Sequence, residues 1–146
     1  MSYDVALTTS ACAHCGRGDG RVFDANMTSN VSGIWYRALM AARGKTVPKD
    51  WGSFGGAPHP LAATIDPNGS QWDDSLGAFG PLAGMTGGDA IPLLEAAANH
   101  ITNNIFAYKR FEPSNGWGSA LGAASFLLSI ASAWKESPAA TLSVWR

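Results

Sequence analysis

The chain has 146 residues, 10 of them basic and 11 acidic, for a net charge of −1 and a charged fraction of 14%, well below the roughly 25% of an average soluble domain. That scarcity, with no Lys/Arg cluster, argues against binding a nucleic-acid polymer through its phosphates, and the most apolar stretch, 120–134, contains Ser and Gly and is too short and too polar to span a membrane. The apolar fraction of 46% is enough for a core, so a single domain over 1–146 is expected rather than a disordered chain.

Residues 2–9 alternate, with Tyr3, Val5 and Leu7 on one side and Asp4, Ala6 and Thr8 on the other. That period of two predicts a half-buried strand. Residues 10–20 are Gly- and Asp-rich and predict a turn, and 21–26 predict a second strand, paired antiparallel as a hairpin with a long tip. No basic and apolar leader opens the chain, so a cytoplasmic location is expected.

The tip carries Cys12-Ala-His-Cys15. One Cys-x-x-Cys with a histidine supplies part of a zinc site, but His14, His59 and His100 stand at non-motif spacings. A redox pair would want a helix start after a strand, which is lacking. A plain hairpin tip, a zinc site shared across a dimer and a redox pair remain as readings, and neither a cofactor nor a metal is assigned.

Asn26-x-Thr28-x-Asn30 follows. Residues two apart in an extended segment share a face, so three hydrogen-bonding side chains line up before a helix over 32–43. Helix starts have free N–H groups and favour anions; alternatively, Asn and Thr there satisfy their own backbone. Ile34, Trp35, Ala38, Leu39 and Ala42 form the predicted inward stripe of that helix. Residues 44–84 hold many glycines and prolines with Trp51, Phe54, Trp72 and Phe79 interspersed, and no period survives. They read as one long loop insertion that packs on something.

Thr86-Gly-Gly-Asp89 resembles a capping box and opens a predicted helix over 88–104, with Ile91, Leu94, Ala98, Ile101 and Ile105 as its buried stripe. Asn115-Gly116-Trp117-Gly118 is a turn into a last helix over 118–136, expected to be the central one because apolar and small residues cover much of its circumference. Asn115 is a possible cap there, and Trp117 either anchors that helix in the core or offers a flat face for stacking. Residues 141–145 alternate and predict a strand joining the hairpin. The expected fold is α+β: a small, mainly antiparallel sheet, three helices and the long loop.

Enzyme signatures are weak. No phosphate-binding loop, nucleophile elbow or His-Glu-x-x-His is present. Asp24, Asp89, Glu95, Glu112 and His100 are the candidate acids and bases, none with a partner at diagnostic spacing.

Asn26-x-Thr28-x-Asn30, Gly-Asp-Ala-x-Pro-Leu-Leu at 88–94, Phe-Glu-Pro-Ser-Asn-Gly-Trp-Gly at 111–118 and Pro-x-Ala-Thr-x-x-Val at 138–144 together resemble a family of small phage and bacterial proteins. The likeness covers 22–43 and 85–145, and the stretch 44–84 is longer than that family's connection. The resemblance implies a phage anti-defence sponge, acting in the host cytoplasm, that holds an immune signalling nucleotide without cleaving it. On that reading Asn26, Thr28, Asn30 and Asn115 hydrogen-bond the ligand beside the Gly116 backbone. Trp35 or Tyr36 and Trp117 stack on it, and Arg37 meets a phosphate. Arg17, Arg21, Lys109 and Arg110 are the further cations, and a homodimer or the 44–84 loop completes the burial. A small nucleotide-processing hydrolase using Asp89, Glu112 or His100, and an interaction module docking through 44–84, are the alternatives.

Overall fold

The computed structural model describes residues 2–9, 20–42, 74–82 and 84–145, with the backbone alone at 29, 74–76 and 81. Three strands, β1 (Ser2–Thr8), β2 (Arg21–Thr28) and β3 (Thr141–Trp145), form an antiparallel sheet in the order β2-β1-β3. The period of two sets the faces. Tyr3, Val5 and Leu7 lie opposite Met27, Ala25 and Phe23 on one side and Val5 and Leu7 opposite Val144 and Leu142 on the other. This face is the floor of the core. The outer face carries Asp4, Asn26, Asp24, Ser143 and Trp145, with Arg21 reaching both Asp24 and the Trp145 ring. The hairpin register shifts between Leu7 and Thr8, leaving Val22 as an extra, 45% exposed residue.

Among the described residues there are four α-helices. A 3₁₀ turn, Ser29–Val31, leads into α1 (Ser32–Ala42). Then come α2 (Gly87–Asn103), the short α3 (Ile105–Lys109) and α4 (Ala120–Glu136). The fold is the expected α+β arrangement, with β3 closing the sheet beside β1 as its alternation predicts.

The central helix is α1, not the last helix. Every residue from Val31 to Met40 is buried, Arg37 included. The stripe read from the sequence was too narrow; a helix apolar nearly all round belongs inside. The last helix is amphipathic, with Leu121 56% and Leu128 44% exposed. Helix α2 packs against both α1 and α4.

The 44–84 loop also needs correction. Asp74–Leu82 forms 3₁₀ turns, and Ala78, Phe79 and Leu82 enter the core. Phe79 meets Tyr3 of β1, Trp35 of α1 and Phe126 of α4, with ring centroids 5.7, 5.0 and 6.2 Å away. One aromatic cluster thus ties the sheet, the central helix, the loop and the last helix together. Residues 43–73 and the Cys12-Ala-His-Cys15 tip, with Arg17 and His59, lie outside the described residues.

Helix α4 is capped by Ser119, whose Oγ accepts the Gly122 N–H at 3.0 Å. Ser119→Ala is expected to cost about 1 kcal/mol of stability through loss of this cap. Urea unfolding measures it, with an unchanged slope if the fold is kept.

Candidate functional site

The site is built from two turns that the fold brings into contact. The first is the end of β2 with the 3₁₀ turn after it. Asn26 projects on the outer sheet face opposite Asp4 and donates Nδ2–H to Asp4 Oδ1 at 2.6 Å. Thr28 Oγ1 accepts the Asn30 N–H at 3.3 Å, a local turn closure of the kind short hydroxyl side chains make. Asn30 is exposed.

The second turn precedes α4. Asn115 Oδ1 accepts the Trp117 N–H at 3.0 Å, and the Gly116 N–H donates to the Pro113 carbonyl at 3.1 Å. Asn115 therefore shapes the turn and does not cap the helix. Trp117 is 70% exposed. Of its two sequence readings, core anchor or free face, the structure gives the free face.

Gly118 joins the turns. Its φ is +108°, and a Cβ there would stand 2.5 Å from Val31 Cγ1 and 3.0 Å from Thr28 Cγ2. The backbone of the Asn-Gly-Trp-Gly turn thus lies directly on the Asn-x-Thr-x-Asn segment. Gly122, one turn on, approaches Met27 from the same side, at 3.3 Å for its added Cβ. Asn26, Asn30, Asn115 and Trp117 are all exposed on the two joined segments.

Three predicted ligand contacts are relocated. Trp35 is fully buried; its ring stacks on Phe126 at 5.3 Å and its Nε1–H donates to the Ala123 carbonyl at 3.2 Å. It is a core residue and offers no face to a ligand. Tyr36 is 2% exposed. Arg37 is 5% exposed, and its guanidinium lies 3.8 Å from the centre of the Phe111 ring, a stacking geometry that stabilises a desolvated cation. It is a buried residue and not an exposed cation.

The helix start before α4 is also less open to an anion than expected. Glu112 Oε1 accepts the Ala120 N–H at 2.9 Å, and Ser119 takes that of Gly122. A carboxylate already sits where the dipole would favour a phosphate. Of the other cations, Arg21 pairs with Asp24 at 2.9 Å and Lys109 lies 5.9 Å from the Phe106 ring.

The candidate acids and bases have structural partners. The Tyr108 hydroxyl lies 2.8 Å from His100 Nδ1. Burial pushes Tyr108 well above the ordinary tyrosine range, and the Arg37 charge works against that. Asp89 stands 3.5 Å from the Thr86 hydroxyl and Glu95 is ion-paired with Lys135. Among the described residues no group of three or more His, Cys, Asp or Glu could hold a metal, and no helix is long and apolar enough to cross a membrane.

A cavity of about 230 Å³ lies elsewhere, between Leu82, Met85 and Thr86 and the chain at Ala140, Thr141 and Leu142. Its walls are mainly apolar, and it shares no residue with either motif.

Sequence reasoning missed Asp4, Glu112 as a helix cap, and the Gly118 contact. Asp4 is found by counting the hairpin register. The other two depend on contacts that no local spacing encodes. No protein-family model, curated protein or solved structure matches the chain.

Proposed function

We propose that the protein binds and holds a small, planar, polar molecule of the nucleotide kind and releases it unchanged. One observation carries the reading: Gly118 seats the Asn115–Trp117 turn on Thr28 and Val31, and Trp117 in that turn is 70% exposed. An indole face stacks on heteroaromatic rings, and amides and hydroxyls recognise base edges and ribose. Glu112 at the α4 start disfavours a phosphate there, so the ligand is gripped by its base and sugar. The motif resemblance makes an immune signalling nucleotide the first class to test. A hydrolytic role has less support, because Glu112 accepts the Ala120 N–H and His100 is paired with the Tyr108 hydroxyl.

The test is a thermal-shift screen with nucleosides, mononucleotides and cyclic dinucleotides, followed by mass spectrometry of the recovered ligand. Trp117→Ala is expected to weaken binding by roughly 1–3 kcal/mol, about 5- to 150-fold. It should change stability by less than about 0.5 kcal/mol, since the side chain is exposed. Asn115→Ala loosens the turn and weakens binding as well. No shift with any compound would defeat the reading, and recovery of a cleaved product would convert it to an enzyme.

A further inference from the structure

The outer face of α4 has an unusual character for a helix exposed on one side. From Ala120 to Trp134 it carries no charged residue, whereas an exposed helix face is ordinarily charged or polar. Leu121, Ser125, Leu128 and Ser132 are all exposed and recur at steps of 4, 3 and 4. That spacing places them in one seam along the helix. Large and small residues alternate along it.

This alternation decides what fits. In a parallel pair of α4 helices, Leu would face Leu and Ser would face Ser. In an antiparallel pair about a two-fold axis between Ser125 and Leu128, Leu121 faces the second copy's Ser132 and Ser125 faces its Leu128. Every bulky side chain then enters the hollow left by a small one, the condition for close interdigitation. The face complements itself in size, and it is neutral along the whole seam, so no like charges oppose each other across the axis.

We infer that α4 is a self-association surface through which two copies of this chain pair antiparallel, Leu against Ser. Trp117 lies in the turn just before α4. Each Trp117 turn then lies beside the carboxyl end of the other copy's α4. The inference rests on the α4 face alone and stands whether or not the ligand reading does. The seam is short, about 16 Å from Leu121 to Ser132, and small interfaces are transient, a stable one burying about 800 Å² per partner. The dimer is therefore concentration-dependent.

Two measurements on the full chain test it. Sedimentation equilibrium of the unmodified protein is expected to show a monomer–dimer equilibrium, and Leu128→Glu is expected to weaken it at least ~10-fold with an unchanged circular dichroism spectrum. The register is read by Leu121→Cys with Ser132→Cys, in a background carrying Cys12→Ser and Cys15→Ser. Within one chain these positions lie about 16 Å apart along the helix, beyond the ~7 Å limit of a disulfide. Oxidation is expected to give a covalent dimer linked 121 to 132. A protein that stays monomeric at every concentration, or a cross-link pattern dominated by 121 to 121, would overturn the inference. Self-association that persists undiminished in Leu128→Glu would place the interface elsewhere and also overturn it.

Discussion

Trp35→Ala is expected to lower the unfolding free energy by about 4 kcal/mol, the range for truncating a fully buried aromatic being ~3–5 kcal/mol. From α1 the ring meets three other parts of the core at once. Tyr3 meets it edge-on at 5.5 Å, Phe79 at 5.0 Å, and Phe126 stacks at 5.3 Å. Its N–H also fixes α1 to α4 through the Ala123 carbonyl. Alanine would leave a cavity between the sheet, α1, the 74–82 segment and α4 that no single element can move to fill. In a domain whose whole stability is about 5–15 kcal/mol, a loss of this size removes a large share, and a fall in Tm of the order of 10 °C accompanies it. Trp35→Phe keeps a ring in the cluster but gives up the hydrogen bond and some volume, so it should fall between. Guanidinium unfolding of Trp35→Ala and Trp117→Ala side by side is the decisive comparison. The same residue type is wholly buried at one position and 70% exposed at the other. A loss below about 1 kcal/mol at Trp35 would mean that the ring is not the junction that these contacts describe.

That contrast also shows where the sequence was informative. Strands β1 and β3 were legible because burial on one face writes a period of two directly into Tyr3, Val5 and Leu7 and into Leu142 and Val144. The stripe of α2 was legible for the same reason at the helical period. Burial of α1 on all sides was harder to read, because Arg37 resembles a solvent-facing residue. Its charge is accommodated over the Phe111 ring, which lies far along the chain. Phe79 was recognised as part of an aromatic loop, but nothing local said that it would complete a cluster with Tyr3, Trp35 and Phe126. At the site, the residue types of both motifs are visible in the sequence, and so is their capacity for turn chemistry. Trp35 and Tyr36 are aromatic and close in sequence to that site. Helical geometry instead carries both into the core.

Gly118→Ala is expected to destabilise the fold by roughly 2–6 kcal/mol and to separate the two motifs. Two costs combine. At φ +108° an L-residue is strained, by about 1–3 kcal/mol. The added methyl would also stand 2.5 Å from Val31 Cγ1, and overpacking costs about 1–3 kcal/mol more where neighbours must shift. Val31 is fully buried, so it has little freedom to yield, and the turn is the part that lifts away. Gly116→Ala is the control. Its φ is +73°, but nothing lies within 4 Å of an added Cβ, so only a backbone cost of about 1 kcal/mol is expected. Val31→Ala in the Gly118→Ala background removes the methyl that clashes. The double variant should therefore be more stable than the sum of the two single losses, by about 1–2 kcal/mol, as residues in contact couple while distant ones add. The φ strain is untouched by this second change, so recovery is partial. Ligand binding should follow the same cycle: weakened by Gly118→Ala and partly restored in the double variant. Strict additivity of stability would mean that Gly118 is needed for its backbone angle alone. Additive losses in binding would mean that the Trp117 turn and the Asn26–Asn30 segment act separately, and the shared surface would have to be abandoned.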